Sequence, residues 1–316
     1  MSTLKNSLRD NRWACWLVLA CLVVPMFASY FFDDMFSSLS ELFKNPDLLE
    51  LGWDMEDYGF YASGYSFLCI WGGLIVCGAL LDRFGVRLVG SIFVGMMLLG
   101  AGLVTFAISA GFKPETSLSI AYAGCMLFGL GSEIAGVSVT RSIAKWFKGR
   151  NMALAMGLQL AIARFGTATA ILIAPMIVKQ KALGEMYTLA ETNRPALIGL
   201  AVLAAGAILW AVFVAMDAKF DRQTGETDKV ETAEEDKFRF SDIWKVLSNP
   251  RFLMIAILCV TFYCCVIRFK KFGVSILLPL FGVNLDIATV LLAMIPFFTI
   301  LFTPLFGALV DKVGKA

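Results

Sequence analysis

Eight stretches of roughly 20 or more apolar residues, separated by short charged or glycine- and proline-containing breaks, constrain this chain more than any other feature. A stretch of that length and polarity is long enough to cross ~30 Å of hydrocarbon as a helix, which satisfies its own backbone hydrogen bonds. The windows read as spans at about 13–32, 58–81, 88–110, 117–140, 152–178, 195–216, 252–282 and 287–310. The expected fold class is therefore all-α, a polytopic membrane protein. With 59% hydrophobic and only 16% charged residues in 316, a water-soluble fold would have to expose its core.

The first span leads into Asp33 and Asp34 rather than a small-residue cleavage site, so it is expected to stay in the mature chain. Histidine is absent, which removes imidazole proton relays and the commonest metal ligand; no enzymatic activity, cofactor or metal site is expected. The net charge of +2 gives no reason to expect nucleic acid. All eight cysteines lie inside apolar segments, where they serve as small hydrophobes rather than as a disulfide framework.

With the N-terminus inside, cytoplasmic segments would hold 18 of the 27 Lys and Arg, among them Arg83, Arg87, Arg141 and Lys145. That bias sets the orientation by the positive-inside rule. The first outer loop, Asp33 to Asp57, agrees, since it carries eight acids and a single lysine, Lys44. Residues 217–250 turn polar and mixed in charge, which divides the chain into a six-span part (1–216), a cytoplasmic linker (217–250) and a two-span part (251–316). Within the linker, Phe240 to Val246 could form a short amphipathic surface helix.

A repeat supplies the most specific signal. After the second span the chain reads Gly78-Ala-Leu-Leu-Asp82-Arg83-Phe-Gly85-Val-Arg87, and after the eighth Gly307-Ala-Leu-Val-Asp311-Lys312-Val-Gly314-Lys315. Each copy has Gly, three residues, acid, base, one residue, Gly. The first glycine permits close helix approach, the second a tight turn, the acid can face a neighbouring helix N-terminus, and the bases remain cytoplasmic. The pattern resembles the loop signature of the major facilitator superfamily. That resemblance implies two six-helix halves, alternating access around one central site, and a gating role for Gly78, Asp82, Arg83, Gly85, Arg87, Gly307, Asp311, Lys312 and Gly314. Asp311 would dock near Met152 and Ala153, and Asp82 against a helix of the second half. Twelve spans are usual in the superfamily, so eight of twelve are expected in residues 1–316, four more belonging to the complete carrier.

A narrower resemblance lies in Phe128-Gly-Leu-Gly-Ser-Glu133, Lys145-Trp-Phe-Lys-Gly149 and Gly157-Leu-Gln-Leu-Ala-Ile-Ala-Arg164-Phe-Gly166. These are similar to the facilitator branch that contains a lysosomal dipeptide uniporter. The superfamily's usual arginine early in helix 4 is replaced by Cys125.

Glu133 and Arg164 are full charges deep within spans, and each costs ~2.5–3.5 kcal/mol to insert without a partner or an aqueous cavity. Counting from the span ends, the glutamate leans outward from helix 4 and the arginine inward from helix 5. Two readings follow: an ion pair that only joins the helices, or a clamp in which Arg164 binds a carboxylate and Glu133 an ammonium group, as a zwitterionic peptide would require. Tyr30, Tyr65 and Tyr263 could offer hydroxyls or serve as packing and interfacial anchors, and Gln159, about one turn from Arg164, could satisfy local backbone or pair with Glu133. Asp33, at the outer end of the first span, is expected to be solvated or to line the outer mouth. Arg268, Lys270 and Lys271 are expected to snorkel to headgroups or line an anion-attracting vestibule. Gly129, Gly131 and Gly136 read as a helix-packing face.

The expected function is secondary transport of small zwitterionic solutes, dipeptides first, by uniport, since histidine is absent and Glu133 is the one acid expected deep in the spans. Alternatives are a proton-coupled organic-anion symporter and, from another class, a non-transporting sensor or regulatory fragment. Expected partners are the small-molecule substrate and the lipid bilayer, with an accessory subunit left open. The chain has no Asn-X-Ser/Thr sequon, which points to a bacterial inner membrane.

Overall fold

The computed structural model describes residues 11–148, 151–179, 181, 184–224 and 248–313, with side chains described as far as Phe302. The described residues are almost entirely helical; one isolated parallel bridge, Leu49 to Tyr187, joins two loops. Helices α1 (Arg12–Asp34), α2 (Met55–Leu68), α3 (Leu74–Ser109), α4 (Pro114–Trp146), α5 (Met152–Ile177), α6 (Leu189–Thr224), α7 (Pro250–Phe281) and α8 (Leu285–Val313) follow one another, with 3-10 turns at Ser37–Lys44 and Pro46–Leu48.

Seven helical stretches are long and apolar enough to cross a membrane, but the one from Met55 to Ser109 has 55 residues, about 80 Å of helix and far more than one crossing needs. Its contacts with α4 resolve the excess. Tyr65 meets Ser132 and Glu133 while Asp82 meets Arg141, so this first part runs parallel to α4. Met97 lies at Gly131 and the Ala107 carbonyl at Ser117, so the later part runs antiparallel to it. The chain therefore reverses between Asp82 and Met97. Gly85, with φ 81° and ψ 167°, makes that reversal possible in a backbone region that L side chains rarely adopt. Eight crossings result among the described residues, matching the eight expected spans.

Helix ends differ from the sequence expectation where side chains extend them. α2 starts at Met55 because Asp54 and Asp57 form a reciprocal capping box, 2.8 and 3.2 Å. α6 begins at Leu189, preceded by Thr188, whose N–H and hydroxyl both donate to Glu191 Oε2 at 3.0 and 2.9 Å. It also continues to Thr224, eight residues into the expected linker, because Asp217 and Asp221 are buried against cations of α3 and α4. The segment 240–246 lies outside the described residues.

Both surfaces of these helices are apolar, as lipid requires. On α3, Val89, Phe93, Met97, Ala101, Val104 and Ile108 face inward at three- and four-residue spacing, while Leu88, Ile92, Leu99 and Phe106 face outward and are exposed. Small residues set the approach distances: a Cβ on Gly131 would lie 2.7 Å from the backbone of Phe93 and Met97, and one on Gly166 would lie 2.5 Å from the Phe27 carbonyl. The packing face expected at Gly129 and Gly131 is thus present.

Two faces can be distinguished. The proximal face carries the start of α1, the Gly85 turn and the α4–α5 turn; the distal face carries the 37–54 loop and the α7–α8 turn. Helices α1 to α6 form one bundle. α7 and α8 join it through their distal portions, where Ile171 of α5 packs in one buried cluster with Val274, Leu277, Ala288 and Leu292. Along the proximal stretch of α7, residues 251–268 are mostly exposed, Cys259, Cys264 and Cys265 included.

Candidate functional site

A cavity of about 340 Å³ lies between α1, α2, α4 and α5, with Tyr30, Tyr65, Ser132, Glu133, Arg141 and Gln159 on its wall. On α4 the lining runs from Ser132 to Arg141, about 13 Å along the axis, so the cavity extends from mid-helix towards the proximal face. Glu133 is exposed into it. Its Oε1 accepts the Tyr65 hydroxyl at 2.9 Å, and Tyr65 also contacts the Ser132 hydroxyl at 3.2 Å. A phenol has one proton, and the closer acceptor, the carboxylate oxygen, takes it; Ser132 also pairs with the Ser29 hydroxyl. The chain of hydroxyls pins the carboxylate to one side of the cavity.

Arg164, half-buried on α5, stacks its guanidinium over the Tyr30 ring at 5.7 Å from the centroid. Among the described residues it makes no ion pair with Glu133. The helix-joining pair is absent from this conformation: the acid is held by a tyrosine of α2 and the base by a tyrosine of α1. Gln159 is buried and donates to Thr140 at 3.3 Å rather than to Glu133. The structure thus brings Tyr30, Tyr65, Glu133 and Gln159 to one cavity and sets Arg164 against its wall. Tyr263, 49% exposed on the proximal part of α7, contacts Phe262 and is not on this wall.

At the proximal face the first signature copy is embedded in its own bundle. Asp82 pairs with Arg141 of α4, both partly exposed, and Arg83 lies over the ring of Phe84 at 5.4 Å. Gly78 faces open space. Arg87 reaches Asp221 at 3.0 Å and Asp217 at 3.7 Å, Lys145 reaches the same two acids at 2.7 and 3.0 Å, and the Trp146 indole donates to Asp217 at 2.8 Å. This network ties α3, α4 and α6. In the second copy, Gly307, Asp311 and Lys312 lie on helical backbone of α8, while their side chains and Gly314 fall outside the described residues. The expected Asp311 contact with Met152 and Ala153 falls outside them too.

At the distal face the structure corrects the sequence reading. Lys270 and Lys271 do not snorkel, and Asp33 is not simply solvated. Lys271 Nζ lies 2.9 Å from Asp33 Oδ1 and 3.2 Å from Asp34 Oδ1; Lys270 Nζ lies 2.9 Å from both carboxylate oxygens of Asp34. Thr167 of α5 donates to Asp34 Oδ2 at 2.8 Å. Asp34 is completely buried and Lys271 is 9% exposed. Neither Asp34 nor Thr167 is among the expected site residues, and Asp34, with Asp217 and Asp221, is a buried acid that the sequence reading does not foresee. The available signal was two adjacent acids ending one span and two adjacent lysines inside another, since charges at membrane depth need partners.

Comparison with known proteins places this geometry in a family. The model of the Major Facilitator Superfamily matches residues 11–316. Proteins named lysosomal dipeptide transporter MFSD1 are similar: those of Pongo abelii and Homo sapiens are each 27% identical over 314 residues, and that of Mus musculus is 29% identical over 313. Each of these alignments covers 95% of this chain and 62% of the relative, so the chain spans under two thirds of the length of the proteins it matches. The crystal structure of a D-xylose-proton symporter superposes with a TM-score of 0.59 at 14% identity, covering 94% of this chain and 69% of that one, which speaks to fold alone. With eight crossings, a paired loop signature and a cavity between the first helices, the chain belongs to the Major Facilitator Superfamily.

Proposed function

We propose that this chain is the substrate-binding part of a carrier for small zwitterionic solutes, dipeptides above all, working by alternating access. The observation that carries the reading is the separation of Glu133 and Arg164. Glu133 lines the cavity and Arg164 stacks over the ring of Tyr30, which lines it too; each charge is held by its own tyrosine and the two are not paired with each other. A dipeptide has an ammonium group and a carboxylate to fill those two places, whereas a sugar has neither. The name of the mammalian relatives supports the same substrate class. The bias of Lys and Arg supports a cytoplasmic proximal face, with the first span entering from that side, in a bacterial inner membrane. The six-helix part, the polar linker and the two-helix part are proposed as the corresponding domain units.

The test is binding of a dipeptide to the purified gene product, with and without Arg164→Lys. A point ammonium cannot reproduce the planar two-point grip of a guanidinium on a carboxylate, so affinity is expected to fall by at least ~10-fold, with expression and folding unchanged. Equal affinity in the two proteins refutes the clamp.

A second reading, proton-coupled transport, rests on Glu133, a carboxylate exposed to the cavity. Counterflow in proteoliposomes without a pH gradient favours uniport. Accumulation driven by an inward proton gradient, abolished by Glu133→Gln, favours symport.

A further inference from the structure

A second cavity, of about 320 Å³, lies at the distal end between the 37–54 loop, the described residues that join α5 to α6, and the facing ends of α7 and α8. It shares no lining residue with the central cavity. We propose that it is a binding site for a small organic cation, a primary amine whose apolar body ends in a hydrogen-bonding group.

The shape and polarity of the walls point to a ligand. Leu39, Leu42, Leu48, Val178, Leu278 and Leu285 come from four separate segments of the chain, so the space is made by tertiary packing and is not a gap within one loop. Water finds few partners against such side chains, whereas the apolar body of a ligand leaves its hydration shell on entering. The volume is at the lower end of the ~300–1,000 Å³ of ligand pockets, which suits a molecule of amino-acid size.

The charges select its sign. Three charged side chains line the cavity, Glu41, Lys181 and Glu185. Glu41 pairs with Lys44 at 2.8 Å, and Lys181 pairs with Glu191 at 2.7 Å while donating to the Met186 carbonyl at 2.9 Å. Glu185 has no counter-ion among the described residues. The wall is therefore left with one uncompensated negative charge, which attracts an ammonium group and repels a carboxylate or phosphate.

A buried hydroxyl selects the other end of the ligand. Ser38 lines the cavity and is 0% exposed, and its hydroxyl has no hydrogen-bond partner among the described residues. A buried polar atom left unpaired is costly, and a ligand group that bonds to it removes that cost. Leu39 and Val178 are buried on the same wall, whereas Asn45, Gly184 and Glu185 are exposed. The ligand thus lies with its cation outward at Glu185 and its apolar body inward, towards Ser38.

Because the walls belong both to the six-helix bundle and to α7 and α8, the site is whole only while these stay together. A bound amine favours such arrangements and acts on the carrier without entering the central cavity. That consequence, unlike the site itself, rests on the alternating-access reading.

The test is binding of tritiated tyramine to the purified gene product, with 2-phenylethylamine and 3-(4-hydroxyphenyl)propionate as competitors. The first competitor lacks the hydroxyl and the second exchanges the ammonium for a carboxylate. Tyramine is expected to bind at least ~3-fold more tightly than the former and ~10-fold more tightly than the latter. Ser38→Ala should erase the first preference, Glu185→Gln should weaken tyramine by about 3-fold, and Leu42→Trp, which fills the cavity, should abolish binding. Equal competition by the two compounds, or tyramine binding that survives Leu42→Trp in monodisperse protein, refutes the site. Should Leu42→Trp fail to fold, Glu185→Gln decides, since that side chain is exposed; an unchanged affinity then refutes it. Arg164→Lys and Glu133→Gln are expected to leave tyramine binding unchanged. If they abolish it, tyramine occupies the central cavity and this proposal falls while the dipeptide reading stands.

Discussion

The two ends of this molecule use the same chemistry for different purposes. At the proximal end Arg87, Lys145, Asp217 and Asp221 lock three helices of one bundle together; at the distal end Asp33, Asp34, Lys270 and Lys271 connect that bundle to α7. Buried ion pairs add little net stability over apolar packing, but breaking one by removing a partner is costly because the remaining charge stays buried. The proximal network ties helices of one bundle, whereas the distal network is a tie between that bundle and α7.

The sharpest way to separate the two is Asp217→Ala. Arg87, Lys145 and the Trp146 indole lose a shared acceptor at once, while Asp221 still contacts the two cations. Unfolding free energy is expected to fall by about 3–5 kcal/mol, read from thermal or denaturant unfolding in detergent. A loss under ~1 kcal/mol, the range of exposed pairs, would remove the distinction between the ends.

Thr167→Val tests the distal network more gently. The shape is nearly kept, Lys270 still contacts Asp34 Oδ2, and one charge-assisted hydrogen bond is lost. Stability is expected to drop by about 1.5–3 kcal/mol, less than for Asp217→Ala in the same assay. A larger drop would make the distal cluster the main structural tie.

The smallest effect is expected for Asp82→Asn. Its partner Arg141 is 37% exposed in the side chain and Asp82 itself 53%, so solvent screens the pair. Unfolding should change by less than ~1 kcal/mol, and any effect on transport from this signature residue would then be conformational. A stability loss matching that of Asp217 would show that Asp82 belongs to the buried network after all.

How much of this could be read from the amino acids differs between the two ends. The proximal network was half legible: Arg87 was singled out by the signature and Lys145 by its neighbouring motif, but Asp217 and Asp221 fell in a polar stretch that resembles a linker. Their burial follows from the side-by-side placement of α3, α4 and α6, which no local pattern encodes. The distal network was misread because Asp33 and Asp34 head a loop with eight acids, where solvation is the ordinary state of a carboxylate. Lys270 and Lys271 lie 236 and 237 positions after Asp34, and sequence carries no measure of that distance in space.

The central site shows the same division. That Glu133 and Arg164 need partners is dictated by composition alone, since an unpaired charge in hydrocarbon is too costly. Which partners they take is a matter of a few ångströms between four helices. Tyr65 claims the acid and Tyr30 the base, leaving the two charges apart.

By itself, the sequence determined the helices and their number of crossings, because the length and apolarity of each span answer to the thickness of a bilayer. It also determined the reversal at Gly85, because few other residues tolerate that backbone conformation. The tertiary structure alone decided which charges meet and that α6 continues past its apolar stretch. These depend on relative placement of helices whose lipid-facing and protein-facing surfaces are equally apolar, so hydropathy cannot tell one face from the other.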